Sequence, residues 1–432
     1  MTAVCEAGIV QCTGRGAVTN CSSVDFDFAT HQRGSVTCNG VTTQCPLMGE
    51  VCHLEQRPAA TLLLPYFEVA AGGQNTMVAV GNAYDEPVMV QADVWTDLGV
   101  HVLAFYIYLD GNDVQTFTLS DVLLKGELPK TAAPAGAIGS SCRNALEVEL
   151  SSSLLQAAQA SLQGRRRLTD DKCAGFDHGD AVLRGYMTFE AIRDCTFSSP
   201  NAPAFFAAGG TGEATNQNVL WGDYIYIDFP VKGGTVANPV TNLVKAGLPM
   251  VHLRASTTDP ATASNGRYTF YGASTSWTAA DNRQPLATNF QARFFNTPAV
   301  NTDLIVWRDS KMRQQSAFTC GRLPLWYPLD QKSLLAFDEQ IQKPNSTFNV
   351  TGQPFALVTQ RVHIGPFAGN LSLPYPYGWL SMDLNDPAAG PGPPYDPLAR
   401  QAWVTVLDSF GTTGMSMDAI RQDTACEALH KP

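Results

Sequence analysis

Charge is what this chain has least of. Asp, Glu, Lys and Arg make up 16% of its 432 residues, against roughly 25% in an average soluble domain. Lysine is the scarcest of the four, with nine residues beside nineteen arginines and none between Ala60 and Leu124. The net charge of −11 and the scatter of the cations exclude nucleic acid as a partner, because phosphate recognition needs clustered Lys and Arg. The one basic run, Arg165-Arg166-Arg167, reads as the solvated end of a helix. No stretch approaches the roughly 20 apolar residues of a membrane span. Residues 1–5 lack the basic and apolar regions of a signal peptide, so the numbering is expected to begin in mature or truncated sequence.

Catalytic signatures are equally scarce. The chain has no Gly-x-Ser-x-Gly elbow, His-Glu-x-x-His pair, phosphate loop or dinucleotide fingerprint. Gly209-Gly210-Thr211-Gly212 is Gly-rich but has no following Lys, so it reads as a flexible loop. Its seven histidines (His31, His53, His101, His178, His252, His363, His430) include no pair at i,i+2 or i,i+4.

Cysteine, in contrast, is abundant and unevenly placed. Six of eleven lie in the first 52 residues: Cys5, Cys12, Cys21, Cys38, Cys45 and Cys52. The others are Cys142, Cys173, Cys195, Cys320 and Cys426. Zinc sites show Cys-x2–4-Cys pairs, whereas six residues separate the closest cysteines here. The pattern therefore favours a disulfide-stapled module of residues 1–53, in a chain destined for an oxidising compartment. The six N-terminal cysteines are expected to pair among themselves, and Cys320 with Cys426. An odd total leaves one over. Cys173, in the polar stretch after Asp170-Asp171-Lys172, is the expected exposed thiol, beside a Cys142–Cys195 pair.

The core of the chain lies after residue 54. Thr61–Val69, 76–82, Val88–Thr96, His101–Leu109 and 114–119 are rich in Val, Leu, Phe, Tyr and Thr, with turn residues between them. In 88–95 the apolar residues Val88, Val90, Ala92 and Val94 alternate with Gln91, Asp93 and Trp95. This period predicts one face on a core and one toward solvent. Residues 144–163 carry Leu146, Leu150, Leu154 and Ala158 at four-residue spacing and predict the one long helix. Further strands are expected at 185–194, 219–229, 250–255, 268–271 and 289–295. Later ones are expected at 334–337, 356–362, 378–384 and 402–409. The predicted class is all-β: antiparallel, immunoglobulin-like sandwiches with a helical insertion at about 120–185. The expected domains are 1–53, 54–288 and 289–432. A faint internal echo sets 67–83 (FEVAAGGQNTMVAVGNA) against 294–310 (FFNTPAVNTDLIVWRDS), through duplication or through two equal strand–turn–strand solutions.

LLLPYFEV (62–69), VWTDLGV (94–100), YLDGNDVQT (108–116), LWGDYIYID (220–228) and TDLIVWRDS (302–310) carry a resemblance. Over residues 60–426 the chain resembles a family of secreted bacterial β-sandwich proteins of delta-proteobacterial type. The resemblance implies export and an all-β body, and assigns no catalytic residue.

Candidate sites are few. Asp110, Asn112 and Asp113 have the oxygen-rich composition that calcium favours, without EF-hand spacing and where a hairpin turn is needed. Asp177-His178-Gly179-Asp180 reads as a turn or a divalent-ion site. Asp223, Asp228, Asp338 and Glu339 are candidates for a glycosidase pair, which needs carboxyls roughly 5–9.5 Å apart. Trp326, Tyr327, Tyr375, Tyr377 and Trp379 lie in turn-rich segments and read either as packing or as binding aromatics. Sequons at Asn20, Asn345, Asn349 and Asn370 matter only in a eukaryotic secretory pathway. Together these features predict a non-catalytic extracellular or cell-surface structural or adhesive protein, partnered by itself or another surface protein. The alternative is a carbohydrate-binding protein or glycan hydrolase.

Overall fold

In the computed structural model, residues 57–228, 243–255, 283–308, 319–322, 334–338, 357–384 and 402–421 are described, with short interruptions. Within 1–53 the description covers only the backbone of five strands. The chain divides into two compact units, Met1–His53 and Leu54–Pro432. In the first, β1 (Thr2–Glu6) pairs with β2 (Ile9–Thr13), and β3 (Cys21–Val24), β4 (Ser35–Cys38) and β5 (Val41–Gln44) form a second small sheet. The expected pairing of its six cysteines lies outside the described residues, as do strand 268–271, Trp326, Tyr327, Glu339 and Cys426.

The second unit holds two β-sandwiches whose ladders are all antiparallel. The first uses β6 (Thr61–Val69), β7 (Gln74–Asn82), β8 (Val88–Thr96), β9 (His101–Leu109) and β10 (Val114–Thr118), then β13 (Leu183–Ile192), β14 (Leu220–Asp228), β15 (Leu243–Pro249) and β16 (Val251–Leu253). Between β10 and β13 come a π-helical turn (Asp121–Lys125), α1 (Ser140–Leu146), α2 (Ser152–Leu162), β11 (Arg167–Thr169) and β12 (Lys172–Cys173). Its sheets run β16-β6-β13-β8-β9 and β10-β7-β14-β15. Leu62, Leu64, Val90, Val94, Phe105 and Phe189 meet Val78, Val80, Leu220 and Tyr224 between them.

The second sandwich uses β17 (Asn289–Phe295), β18 (Val300–Arg308), β19 (Leu334–Phe337), β20 (Thr359–His363), β21 (Tyr377–Asp383), β22 (Ala402–Phe410), β23 (Thr413–Asp418) and β24 (Ile420–Arg421). Its sheets run β24-β17-β21-β19 and β20-β18-β22-β23. Phe290, Phe294, Leu380 and Met382 meet Leu304, Val306 and Val404 in a separate core.

These two strand orders are the same order. With β9 set aside, β6, β7, β8, β10, β13, β14, β15 and β16 occupy the places of β17 through β24 in turn. Residue contacts repeat as well. Leu220 N–H donates to the Ala59 carbonyl at 2.9 Å, and Ala402 N–H to the Ala287 carbonyl at 2.9 Å. Glu68 N–H donates to Thr76 Oγ1 across one hairpin, and Phe295 N–H to Thr302 Oγ1 across the other. In β13, Gly185 lies opposite Phe67; in β21, Gly378 lies opposite Phe294. A Cβ on either glycine would stand 2.0 Å from a backbone carbonyl oxygen, that of Trp95 or of Phe337. From these glycines the strands read Gly-Tyr-Met-Thr-Phe-Glu (185–190) and Gly-Trp-Leu-Ser-Met-Asp (378–383). The echo of 67–83 and 294–310 falls on β6–β7 and β17–β18, the first pair of each copy. Same order, same close approaches and conservative pairs at six successive positions identify a tandem duplication.

Two expectations fail here. All nine residues of β8 are buried, so its alternation does not mark a solvent face. The outer face of its sheet is covered by α1, by Phe205 and Phe206, and by Trp307, Val358 and Trp403 of the second sandwich. Several polar residues of that face bond one another. Trp95 Nε1, for example, donates to Thr188 Oγ1 at 3.1 Å. The predicted helix of 144–163 is two helices. Ser151 caps α2 by accepting from Leu154 N–H at 3.2 Å, and Ser favours such caps over helix interiors.

Two disulfides are described, Cys142–Cys195 and Cys173–Cys320. The expected Cys320–Cys426 pair and the exposed Cys173 thiol are therefore both wrong. Cys173 is 7% exposed, and its strand is drawn to the second sandwich by the Cys320 N–H, which donates to the Asp171 carbonyl at 2.8 Å. Asp171 faces water while the Cys173 sulfur turns inward.

Candidate functional site

A cleft of about 370 Å³ opens where the two sandwiches meet. β6 and β13 supply Tyr66, Glu68 and Arg184, and the turn before β13 supplies His178. Across from them, β18 and β20 supply Asp303, Thr359, Gln360, Arg361 and His363. A register shift between β6 and β13 at this point changes the face of β6, so that Leu62 and Leu64 before it and Phe67 and Val69 after it turn into the core, and Tyr66 and Glu68 reach the junction.

Arg361 ties the two walls together. Its guanidinium bonds Asp303 Oδ2 through Nε at 2.7 Å and through Nη2, and reaches Glu68 Oε2 at 3.1 Å. His363 Nδ1 lies 2.6 Å from the other Asp303 oxygen. Burial pushes the Asp303 carboxyl up, but His363 and Arg361 more than offset this and hold it below the usual carboxylate range. Tyr66 donates its hydroxyl to Glu68 Oε1 at 2.7 Å. Complete burial, then the Glu68 charge, raise its phenol well above normal. Thr359 Oγ1 donates to the Pro65 carbonyl, and Val358 N–H to the Asp97 carbonyl at 2.9 Å.

The Asp177–Asp180 stretch is a turn, and it delivers His178 to the cleft. His178 Nε2 lies 2.9 Å from Asp97 Oδ2, itself buried. Asp180 takes both arms of Arg184 at 2.8 Å. That pairing holds its carboxyl at about 2.

A second polar cluster lies under the cover of β8 and β13. Asp93 and Glu190 are both 0% exposed. Gln91 Nε2 bonds both Asp93 oxygens at 3.0 Å, and His101 Nε2 lies 2.6 Å from Asp93 Oδ1. Neither oxygen of Glu190 has an aligned partner among the described residues, nor has Oε1 of Gln91, its opposite number in the register. Desolvation, then the nearby Asp93 charge, push the Glu190 carboxyl well above the normal range. Thr188 lies close enough to act against that rise without aligning as a partner of either oxygen.

The other candidates are scattered. Asp110 and Asp113 carboxylates accept N–H groups of their own turn, from Gly111 at 2.9 Å and Val114 at 2.7 Å. Asn112 takes the left-handed conformation that the turn requires (φ 60°). Among the described residues no three His, Cys, Asp or Glu are placed to hold a metal ion. Asp223 lies on β14 of the first sandwich and Asp338 just after β19 of the second. Tyr375 packs against the second core, while Tyr377 and Trp379 face outward on β21.

The cleft residues Glu68, Asp97, Asp303, Arg361 and His363 were not foreseen. For Glu68 and Asp303 the sequence signal was a lone charge inside an apolar strand, as in Asp303-Leu304-Ile305-Val306-Trp307. A charge there is buried only with a partner.

No known protein family, curated protein or solved structure matches the chain.

Proposed function

We propose that this protein is an exported, non-catalytic structural or adhesive protein whose tandem sandwiches act as one rigid body at a surface. The carrying observation is the Arg361 joint. One guanidinium neutralises a carboxylate from each copy, so Glu68 and Asp303 are committed to holding the sandwiches together. A glycosidase keeps its two carboxyls apart and available, one to protonate and one to attack. The Cys173–Cys320 bond spans the same junction, and an aromatic contact extends it, with Tyr186 edge-on to Trp307 at 6.0 Å between centroids. Disulfides and low charge suit an oxidising, extracellular setting. So does the resemblance to secreted bacterial β-sandwich proteins.

Surface proteolysis of intact source cells and light scattering of the purified chain over a hundredfold concentration range test this reading. Cleavage on intact cells and self-association or partner binding are expected. An intracellular chain, or a strict monomer that hydrolyses a glycan, overturns it.

A further inference from the structure

Both histidines of the cleft are held in the same way. His363, on β20, has its Nδ1 2.6 Å from Asp303 Oδ1. His178, on the turn before β13, has its Nε2 2.9 Å from Asp97 Oδ2. Both carboxylates are buried, and both rings are part-exposed to the same cavity. An ionised carboxylate only accepts, so the ring nitrogen facing it carries the hydrogen. That fixes the tautomer of each ring and leaves a lone pair on its other nitrogen, Nε2 of His363 and Nδ1 of His178. Neither nitrogen has a partner among the described residues.

Histidines that ligate a metal are oriented in this manner, the second nitrogen giving its hydrogen to a carboxylate. The rest of the cleft narrows the chemistry of the ligand. Its carboxylate oxygens are engaged: Glu68 by Tyr66 and Arg361, Asp303 by Arg361 and His363, and Asp180 by Arg184. A calcium ion, which takes about six to eight oxygens, would have to break these bonds. The free imidazole nitrogens suit zinc, copper or nickel instead. Charge agrees. Glu68, Asp97, Asp180 and Asp303 set four carboxylates against the two guanidiniums of Arg184 and Arg361, and a divalent cation offsets the difference. An oxyanion would add to the excess.

We infer that the cleft is a site for a divalent transition-metal ion, ligated by His363 Nε2 and His178 Nδ1, with Asp303 and Asp97 as positioning residues behind them. No third His, Cys, Asp or Glu completes the set among the described residues, so water fills the remaining positions and the ion exchanges with solution. Gln360 lines the same cleft, and its Oε1 accepts the Leu357 N–H at 3.0 Å. Its amide N–H groups are thereby left to bond such a water. His178 precedes β13 of the first sandwich and His363 lies on β20 of the second, so the ion adds a tie across the junction. The inference goes beyond the adhesive reading, because the Arg361 joint and the Cys173–Cys320 bond hold the sandwiches without it.

Calorimetric titration of Zn²⁺ and Ni²⁺ into the intact, disulfide-bonded, chelator-stripped protein tests the site, with paramagnetic resonance of bound Cu²⁺ reading the ligands. One ion per chain is expected, with splitting from two imidazole nitrogens and a thermal midpoint that rises with metal concentration. His178→Gln and His363→Gln should each weaken binding roughly tenfold or more and remove one nitrogen from the spectrum. His101 is the control, since Asp93 holds it at 2.6 Å but it lies outside the cleft. His101→Gln should bind as the parent does. Should a cleft variant fail to fold, modification of the parent by diethyl pyrocarbonate decides: metal should shield His178 and His363 and leave the other histidines reactive. No binding, equal binding by the parent and both cleft variants, a spectrum with fewer than two nitrogens, or unshielded cleft histidines overturns the site. Any of these leaves the rigid-body reading standing, because Arg361→Met in metal-free protein tests that reading separately.

Discussion

Glu190→Gln should make the protein more stable at neutral pH. The carboxyl is wholly buried, with no aligned partner for either oxygen among the described residues and Asp93 close by. Its proton affinity in the folded state is therefore raised above the ordinary glutamate value of 4.5. Between those two values the native chain holds a proton that the unfolded chain has released. Stability then falls as pH rises, by about 1.4 kcal/mol per pH unit for one proton. Glutamine is nearly the same shape and neutral throughout, so the variant loses that slope. Near pH 4.5 parent and variant should unfold alike. Above that the variant should take a growing lead as the pH rises, because the parent must keep its proton against the solution or bury a second anion beside Asp93. The side-chain amide can also donate to Gln91 Oε1, which the structure leaves without a partner. Urea unfolding followed by tryptophan fluorescence, disulfides intact, at several pH values between about 4.5 and 7.5 measures the difference. Parallel pH curves, or a variant less stable at neutral pH, would show that Glu190 is ionised and satisfied, and would refute the reasoning.

Arg361→Met should cost about 3 kcal/mol, at the low end for a broken buried pair because a quarter of the Arg361 side chain is exposed. Adding Glu68→Gln and Asp303→Asn should restore part of that in the same urea assay. Non-reducing peptide mapping should recover Cys142–Cys195 and Cys173–Cys320. Replacing both Cys173 and Cys320 by Ser should cost about 5 kcal/mol in the chain-entropy picture, for a loop of 147 residues. Gly185→Ala and Gly378→Ala should each lower the thermal midpoint, since a Cβ at either site meets a carbonyl oxygen at 2.0 Å. Unchanged midpoints would show that these strands can separate freely.

The strands were legible because period-two patterning and turn residues are local. The β6–β7 hairpin, β8, β9 and β14 fall where alternation and Gly, Pro and Asp placed them. What covers a strand is not local, and there sequence reading failed. Val88–Thr96 looked half-exposed because Gln91 and Asp93 are polar, yet both are buried by elements distant in the chain. Cysteine pairing failed in the same way. Cys173 sits among charges in sequence, but its partner is chosen by how β12 meets the second sandwich. Of the cleft, His178 alone stood out, as part of a dense polar turn. Asp303 sits singly in an apolar strand and Arg361 in a short polar one, and the bond from Arg361 to Glu68 across the junction has no short-range signature.

Duplication explains why the cleft is charged and lopsided. When two copies of one sandwich sit in tandem, equivalent positions face different surroundings and are free to diverge. Asp303 of β18 corresponds in register to Met77 of β7, and Arg361 of β20 to Thr116 of β10. Met77 and Thr116 belong to a pair of strands that no second sandwich covers among the described residues, so an ion pair there would gain little. At the junction the same two positions are removed from water, and an unpaired charge would be costly. The acid and the arginine are therefore found together there, with Glu68 of the other copy completing the triad. The outer sheet faces diverged in the opposite sense. In the first copy the aromatic face is closed by α1 and its disulfide-tethered loop. In the second it keeps exposed rings. On the adhesive reading proposed above, one ancestral sandwich yields a sealed half that gives rigidity and an open half that offers a surface.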